Sequence, residues 1–426
     1  MKRFTKAENG WMLYDWANSA YSLIVYTAIF PIFYKAEATA AGVSSVQSTA
    51  YLGYTIAIST FLLAMLSPIL GTIADYDGMK MRFFTFFFVV GIVSTGMLAF
   101  IPEGQWMLLL IVYTISALGF AGSNIFYDAF LVDVTDEKRM DTVSARGFGI
   151  GYIGSTIPFI LSIAIIMLAQ KGIIPLAAGT ASKISFFITA LWWGIFTIPM
   201  FRHVRQMYSI PREANPIAKS FRRLDKTFRE ARAYKPLFLF LLAYFFYIDG
   251  VGTIIKMSTA YGTDLGIDAT TLLIILFVTQ LVAAPFAILY GKLSQRFTGK
   301  KMLYAGIVVY IGVCIYAMFM KTAVDFWILA MLVATSQGGI QALSRSYFAK
   351  LIPKENANEF FGFYNIFGKF AAVMGPLLLA ATAQWTESTS AGVFSLIILF
   401  VIGIVILARV PEPEEGEMPG SVQKTS

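Results

Sequence analysis

Gly71-Thr-Ile-Ala-Asp75-Tyr-Asp-Gly78-Met-Lys80-Met-Arg82 is a polar turn set between two long apolar stretches. Its glycines permit a tight turn and close helix packing, Asp75 can cap a neighbouring helix, and Arg82 can pair with an acid such as Asp133. Taken in isolation such a string is an ordinary polar turn. Its meaning comes from what surrounds it.

An apolar run of about 20 residues crosses a bilayer as a helix. Candidate runs lie at roughly 12–34, 50–73, 84–101, 106–132, 147–169, 184–201, 237–258, 269–291, 302–320, 325–350, 361–383 and 390–409. Composition agrees, since 57% of residues are hydrophobic and 14% charged, against about a quarter charged in a soluble domain. The chain is an integral membrane protein. Ala36-Glu37-Ala38 could pass for a signal-peptidase site, but the run before it is too long and contains Asp15 and Asn18. One Cys, Cys314, excludes a disulfide framework, and with His203 as the single His no His/Cys metal site can form. No cofactor is implied.

Lys and Arg set the orientation. Lys80 and Arg82, Lys138 and Arg139, Lys292 to Lys301, and Lys350 with Lys354 fall in alternate loops, and the loops between carry few. Both termini are therefore expected in the cytosol, and topology accounts for the formal charge of +8 without a nucleic-acid partner. The expected fold is an all-α membrane protein of twelve transmembrane helices in two pseudo-symmetric six-helix bundles. The divisions are a bundle at 1–201, a basic and partly helical linker at 202–236, a bundle at 237–410 and a polar cytosolic tail at 411–426. At an offset of 218, Phe130, Glu137 and Pro158 fall on Phe348, Glu355 and Pro376. Two such halves suggest alternating access around a site at their interface.

Placed between spans two and three of twelve, the opening string resembles the signature loop of the major facilitator superfamily. The corresponding loop of the second half, Gly291-Lys-Leu-Ser-Gln295-Arg-Phe-Thr-Gly299-Lys300, has Gln where the acid belongs, so an ionic latch there is weaker. Tyr14-Asp-Trp-Ala-Asn-Ser-Ala-Tyr21, Asp249-Gly250-Val251, Gly339-Ile-Gln341-Ala-Leu-Ser-Arg345-Ser346 and Gly362 to Pro376 resemble the vacuole-effluxer (autophagy-related) family. The resemblance implies export of amino acids or similar small solutes, and for compact bacterial-type members it gives little guidance on substrate. It does not fix antiport, because the adjacent Gly-Pro expected in the fifth span stands instead at Gly375-Pro376 in the eleventh.

Ionisable residues inside spans cost roughly 2.5–3.5 kcal/mol each at mid-depth, so they point to function. Asp249 and Lys369 lie near the middle of the seventh and eleventh spans, and Lys256 shares the Asp249 face. They read either as cavity partners for the ammonium and carboxylate of a zwitterion or as a structural pair. Asp128 and Arg345 both lie about 12 Å from the midplane on the cytosolic side. With Asp15 they form a candidate cytosolic gate, the alternative being a local pairing of Asp128 with Arg146. Asn18, Tyr21, Asn124, Tyr247, Gln280, Gln337 and Gln341 complete a plausible polar cavity or serve as interhelical hydrogen bonds. Trp11 and Trp106 are expected in the interfacial belt.

The reading that unites these features is a secondary transporter for a small polar or zwitterionic solute, with amino acids foremost, acting as an effluxer. Uptake or flipping of a larger amphiphile such as a peptide, muropeptide or lipid is the alternative; a receptor or scaffold is the alternative of another class. An enzyme is not indicated, because no catalytic set or nucleotide-binding loop is visible. The expected partners are a small-molecule substrate, a proton or other ion gradient and membrane lipid, around a monomer. A bacterial inner membrane is expected, with a vacuolar membrane as the alternative.

Overall fold

A computed structural model describes residues 3–211, 229, 234–264, 267 and 269–411. Among them twelve helices are long and apolar enough to cross a membrane: Lys6–Ala40, Tyr51–Ala74, Met79–Phe100, Trp106–Ala129, Glu137–Gln170, Ala178–His203, Lys235–Lys256, Thr271–Phe297, Gly299–Ala317, Ala323–Leu351, Lys354–Thr386 and Ser390–Ala408. They are called the first to twelfth spans below. The expected linker helix and the polar tail fall mainly at 212–228, 230–233 and 412–426, outside the described residues.

Several spans run past the apolar windows that reveal them, because a helix leaving the bilayer needs caps rather than more apolar residues. The fifth begins at Glu137, with Asp136 accepting from the Arg139 amide at 3.1 Å. Lys138 and Arg139, expected in a loop, therefore occupy its first turn. The first span starts on a capping box in which Glu8 and Thr5 exchange bonds of 2.7 and 3.1 Å. Glu8 also takes Thr135 at 2.8 Å and Arg139 at 2.9 Å, which fastens the chain start to the fifth span. Midway, Ser22–Ala28 widens into a π-helical turn, a feature frequent at functional sites.

The first span is enclosed by its neighbours at a stripe of small residues. A methyl group at Gly147 would lie 2.6 Å from Asp15 Oδ2, and one at Gly154 2.6 Å from the Trp16 ring. These residues recur on one face of the fifth span, so the two backbones approach closely.

The two halves join at the end that carries the chain start, and they do so twice in equivalent fashion. In one contact, Gly71 of the second span abuts the Asn358 carbonyl at the start of the eleventh, and Ser67 donates to the Gly362 carbonyl at 3.2 Å. In the other, Gly291 of the eighth span meets Ala145 of the fifth, where Gln295 Nε2 donates to Thr142 Oγ1 at 2.7 Å. Adding a side chain at Gly71 is therefore predicted to open this end. Gly71→Val should cost the closed form about 1–3 kcal/mol, read as faster maleimide labelling of a cysteine at Ser67 in a Cys314→Ser background. Unchanged labelling would show that the contact does not hold the end shut.

Candidate functional site

Asp75, at the end of the second span, reaches across the interface and caps the eleventh. Its Oδ1 accepts from the Asn358 amide and from Asn358 Nδ2, both at 2.9 Å, and its Oδ2 from the Glu359 amide at 3.3 Å. A carboxylate at a helix N-terminus satisfies orphan donors and faces the positive end of the dipole. Gly78 then adopts φ +70, a left-handed conformation that favours glycine, and starts the third span.

The basic residue that answers Asp133 is Lys80, not Arg82. Lys80 Nζ lies 2.6 Å from Asp133 Oδ2, both side chains fully buried, while Arg82 is exposed. Two residues along a helix turn the side chain through roughly 200°, so only one of the pair can face inward. Asp133 Oδ1 also accepts from the amides of Met207 and Tyr208 at 2.7 and 3.0 Å, which fixes the chain leaving the sixth span against the loop.

At the centre of the interface stands Arg345 of the tenth span, with 4% of its side chain exposed. Its guanidinium reaches Asp128 at 3.0 Å and Asp15 at 3.3 Å, and Nε donates to Ser144 Oγ at 3.0 Å. The Trp11, Tyr127 and Phe148 rings surround it at 4.6, 5.4 and 4.5 Å from Cζ. Trp11 is thus not an interfacial anchor. It is fully buried, donating to the Tyr127 carbonyl at 2.8 Å, because the first span lies inside the bundle with its start covered by others. Arg146, the alternative partner for Asp128, instead lies over the Phe4 ring at 4.7 Å.

Sequence reasoning missed a further set. Asp141 of the fifth span accepts from Ser346 at 2.6 Å and pairs with Lys350 at 2.8 Å, and Glu137 meets Lys354 at 3.2 Å. Ser144 donates to the Ala342 carbonyl at 2.7 Å. The signal was the i, i+4 spacing of Glu137 and Asp141 opposite Ser346, Lys350 and Lys354, legible only once the two helices are known to face each other.

The other charged candidates lie deeper. Asp249 is buried, with Oδ1 at 3.4 Å from Thr253 Oγ1 and 2.7 Å from the position of a methyl group on Gly375. Its Oδ2 has no hydrogen-bond partner among the described residues. Lys369 is half-buried and Lys256 exposed. Among the described residues no ion pair joins Asp249 to Lys369 or Lys256.

The uncharged candidates divide. Asn18 Nδ2 donates to Asn124 Oδ1 at 2.7 Å, Tyr21 accepts from Ser116 at 3.1 Å, and Tyr247 bonds Ser344 at 2.6 Å, all as interhelical ties. Gln341 is bound to the Gln337 carbonyl at 3.0 Å. Gln280 and Gln337 border an apolar pocket of about 60 Å³ with Ile254, Leu272, Phe326 and Val333. Gln280 Oε1 has no hydrogen-bond partner among the described residues.

Two six-helix halves meeting at a capped and charged interface define a transporter of the major facilitator type, and known structures agree. The proton:xylose symporter XylE matches with a TM-score of 0.69 over 97% of this chain and 96% of that one, at 10% identity. A bacterial homologue of the iron transporter ferroportin, in an outward-facing state, matches with a TM-score of 0.67 over 96% and 99%, at 13% identity. The chain belongs to the vacuole effluxer Atg22-like family, whose profile matches residues 5–136 and 132–416. An "uncharacterized MFS-type transporter YxiO" from Bacillus subtilis (strain 168) is 72% identical over 97% of this chain and 96% of its own. Autophagy-related protein 22 from Eremothecium gossypii is 22% identical over 96% and 91%.

The box around Arg345 generates a test of its energetics. Asp15→Asn and Asp128→Asn should each be tolerated, because one acid remains, whereas the double variant strands a buried cation at a cost of about 3–5 kcal/mol. Thermal melts in detergent are expected to show a loss larger than the sum of the single losses. Additive losses would mean that the acids act independently.

Proposed function

We propose that this chain is a secondary transporter that exports a small polar or zwitterionic solute, amino acids foremost, by alternating access. The observation that carries this reading is the Arg345 box, a charged contact between halves at one end of the molecule. Buried in the closed state, its groups regain water when the halves separate there, so the contact is two-state in character. The basic bias of the loops makes this end cytosolic, and the protein is then closed toward the cytosol. A bacterial cytoplasmic membrane suits a chain so similar to one from Bacillus subtilis.

Asp249 and the two lysines supply both signs of charge within the second half, which suits a zwitterion. Asp249 is also the natural proton carrier, a buried carboxyl within the seventh span whose Oδ2 has no hydrogen-bond partner among the described residues. The Asp75 cap serves closure between the halves, and Lys80 with Asp133 fixes the loop within the first half, so neither serves recognition. The solute crosses unaltered, driven by an ion gradient.

Counterflow in proteoliposomes tests the reading. Saturable exchange of labelled amino acids is expected, with Lys369→Ala raising KM about tenfold through loss of a charge-assisted contact. Asp249→Asn should abolish the pH dependence. Exchange of lipid or peptide analogues alone would transfer the assignment to amphiphiles, and pH-dependent exchange by Asp249→Asn would remove the proton from that residue.

A further inference from the structure

The partners of Arg345 share a property that their role in closure does not require. The two carboxylates, the Ser144 hydroxyl and carbonyl, and the three rings all belong to the first half. Trp11, Tyr127 and Asp15 are also held without Arg345. Trp11 is tied to the Tyr127 carbonyl and stacks on its ring at 4.5 Å, and Asp15 is wedged against Gly147. When the halves separate at this end, the guanidinium leaves with the second half and the box remains.

We propose that the vacated box, formed by Asp15, Asp128, Ser144, Trp11, Tyr127 and Phe148, is a binding site for a guanidinium or primary ammonium head group entering from the end that carries the chain start. Opened to water, two carboxylates flanked by three ring faces still attract an organic cation, because carboxylates and ring faces act on the same positive charge. The rings favour a flat, weakly hydrated organic cation over a small metal ion, as ring faces 4.5–5.4 Å from the guanidinium carbon already show for Arg345. Arg345 and the ligand compete for one place. A bound ligand therefore keeps this end open, and its departure lets the box close on Arg345. This inference rests on the alternating-access reading for its occasion, although the binding itself does not require transport.

Equilibrium binding to the full chain in detergent tests it. Arg345→Ala should be stabilised saturably by methylguanidinium at constant ionic strength, with a half-point at least about tenfold lower than in Arg345→Ala/Asp15→Asn/Asp128→Asn. Wild type, where Arg345 competes for the box, should reach its half-point only at a higher methylguanidinium concentration than Arg345→Ala. Should Arg345→Ala not accumulate as folded protein, Arg345→Ala/Asp15→Asn, which keeps one carboxylate, carries the same expectation. The proposal is overturned if these variants show no saturable rise, if the triple variant responds equally, or if matched sodium chloride does as well. A lack of flux in proteoliposomes alongside a normal methylguanidinium titration would instead count against the transport reading alone.

Discussion

A guanidinium cannot be left bare in a membrane protein, and the interface between the halves is arranged around that fact. The Arg345 side chain is 4% exposed, so its stability in this arrangement depends wholly on what the first half offers. Two carboxylates, a serine and three ring faces meet that need. Such a contact contributes less net stability than its distances suggest, because desolvation opposes attraction. Under the proposed alternating access, its value lies in being strongly unfavourable when only partly made, which favours two distinct arrangements over a continuum.

Around this centre the two pseudo-symmetric contacts use different chemistry. In the first, Asp75 caps the eleventh span through both oxygens of its carboxyl group. In the second, Gln295 stands in the equivalent position and makes a neutral bond to Thr142, while the charge is supplied by Asp141 to Ser346 and Lys350. The second half therefore compensates for its missing acid from the opposite helix. Both contacts need glycine at the crossing, since Gly71 and Gly291 leave no room for a side chain.

The spans were legible because each must be apolar over a bilayer's thickness, and that signal is local. Depth was legible too, which is why Asp128 and Arg345 could be matched before any helix was placed. Facing was not. Whether Lys80 or Arg82 turns inward toward Asp133, and whether Trp11 meets lipid or Arg345, depends on helix phase and on which spans are neighbours. The Asp141 set was invisible for the same reason. The π-helical turn at Ser22–Ala28 carries no proline or glycine to announce it.

The central claim is that the charge box around Arg345 holds the two halves together at this end. Spin labels at Asp77→Cys and Glu355→Cys, both exposed positions on opposite halves, in a Cys314→Ser background, measure it by pulsed dipolar spectroscopy. The account predicts one short distance in the parent and a shift of the population to a longer one in Asp15→Asn/Asp128→Asn. An unchanged distance distribution in that variant would contradict it.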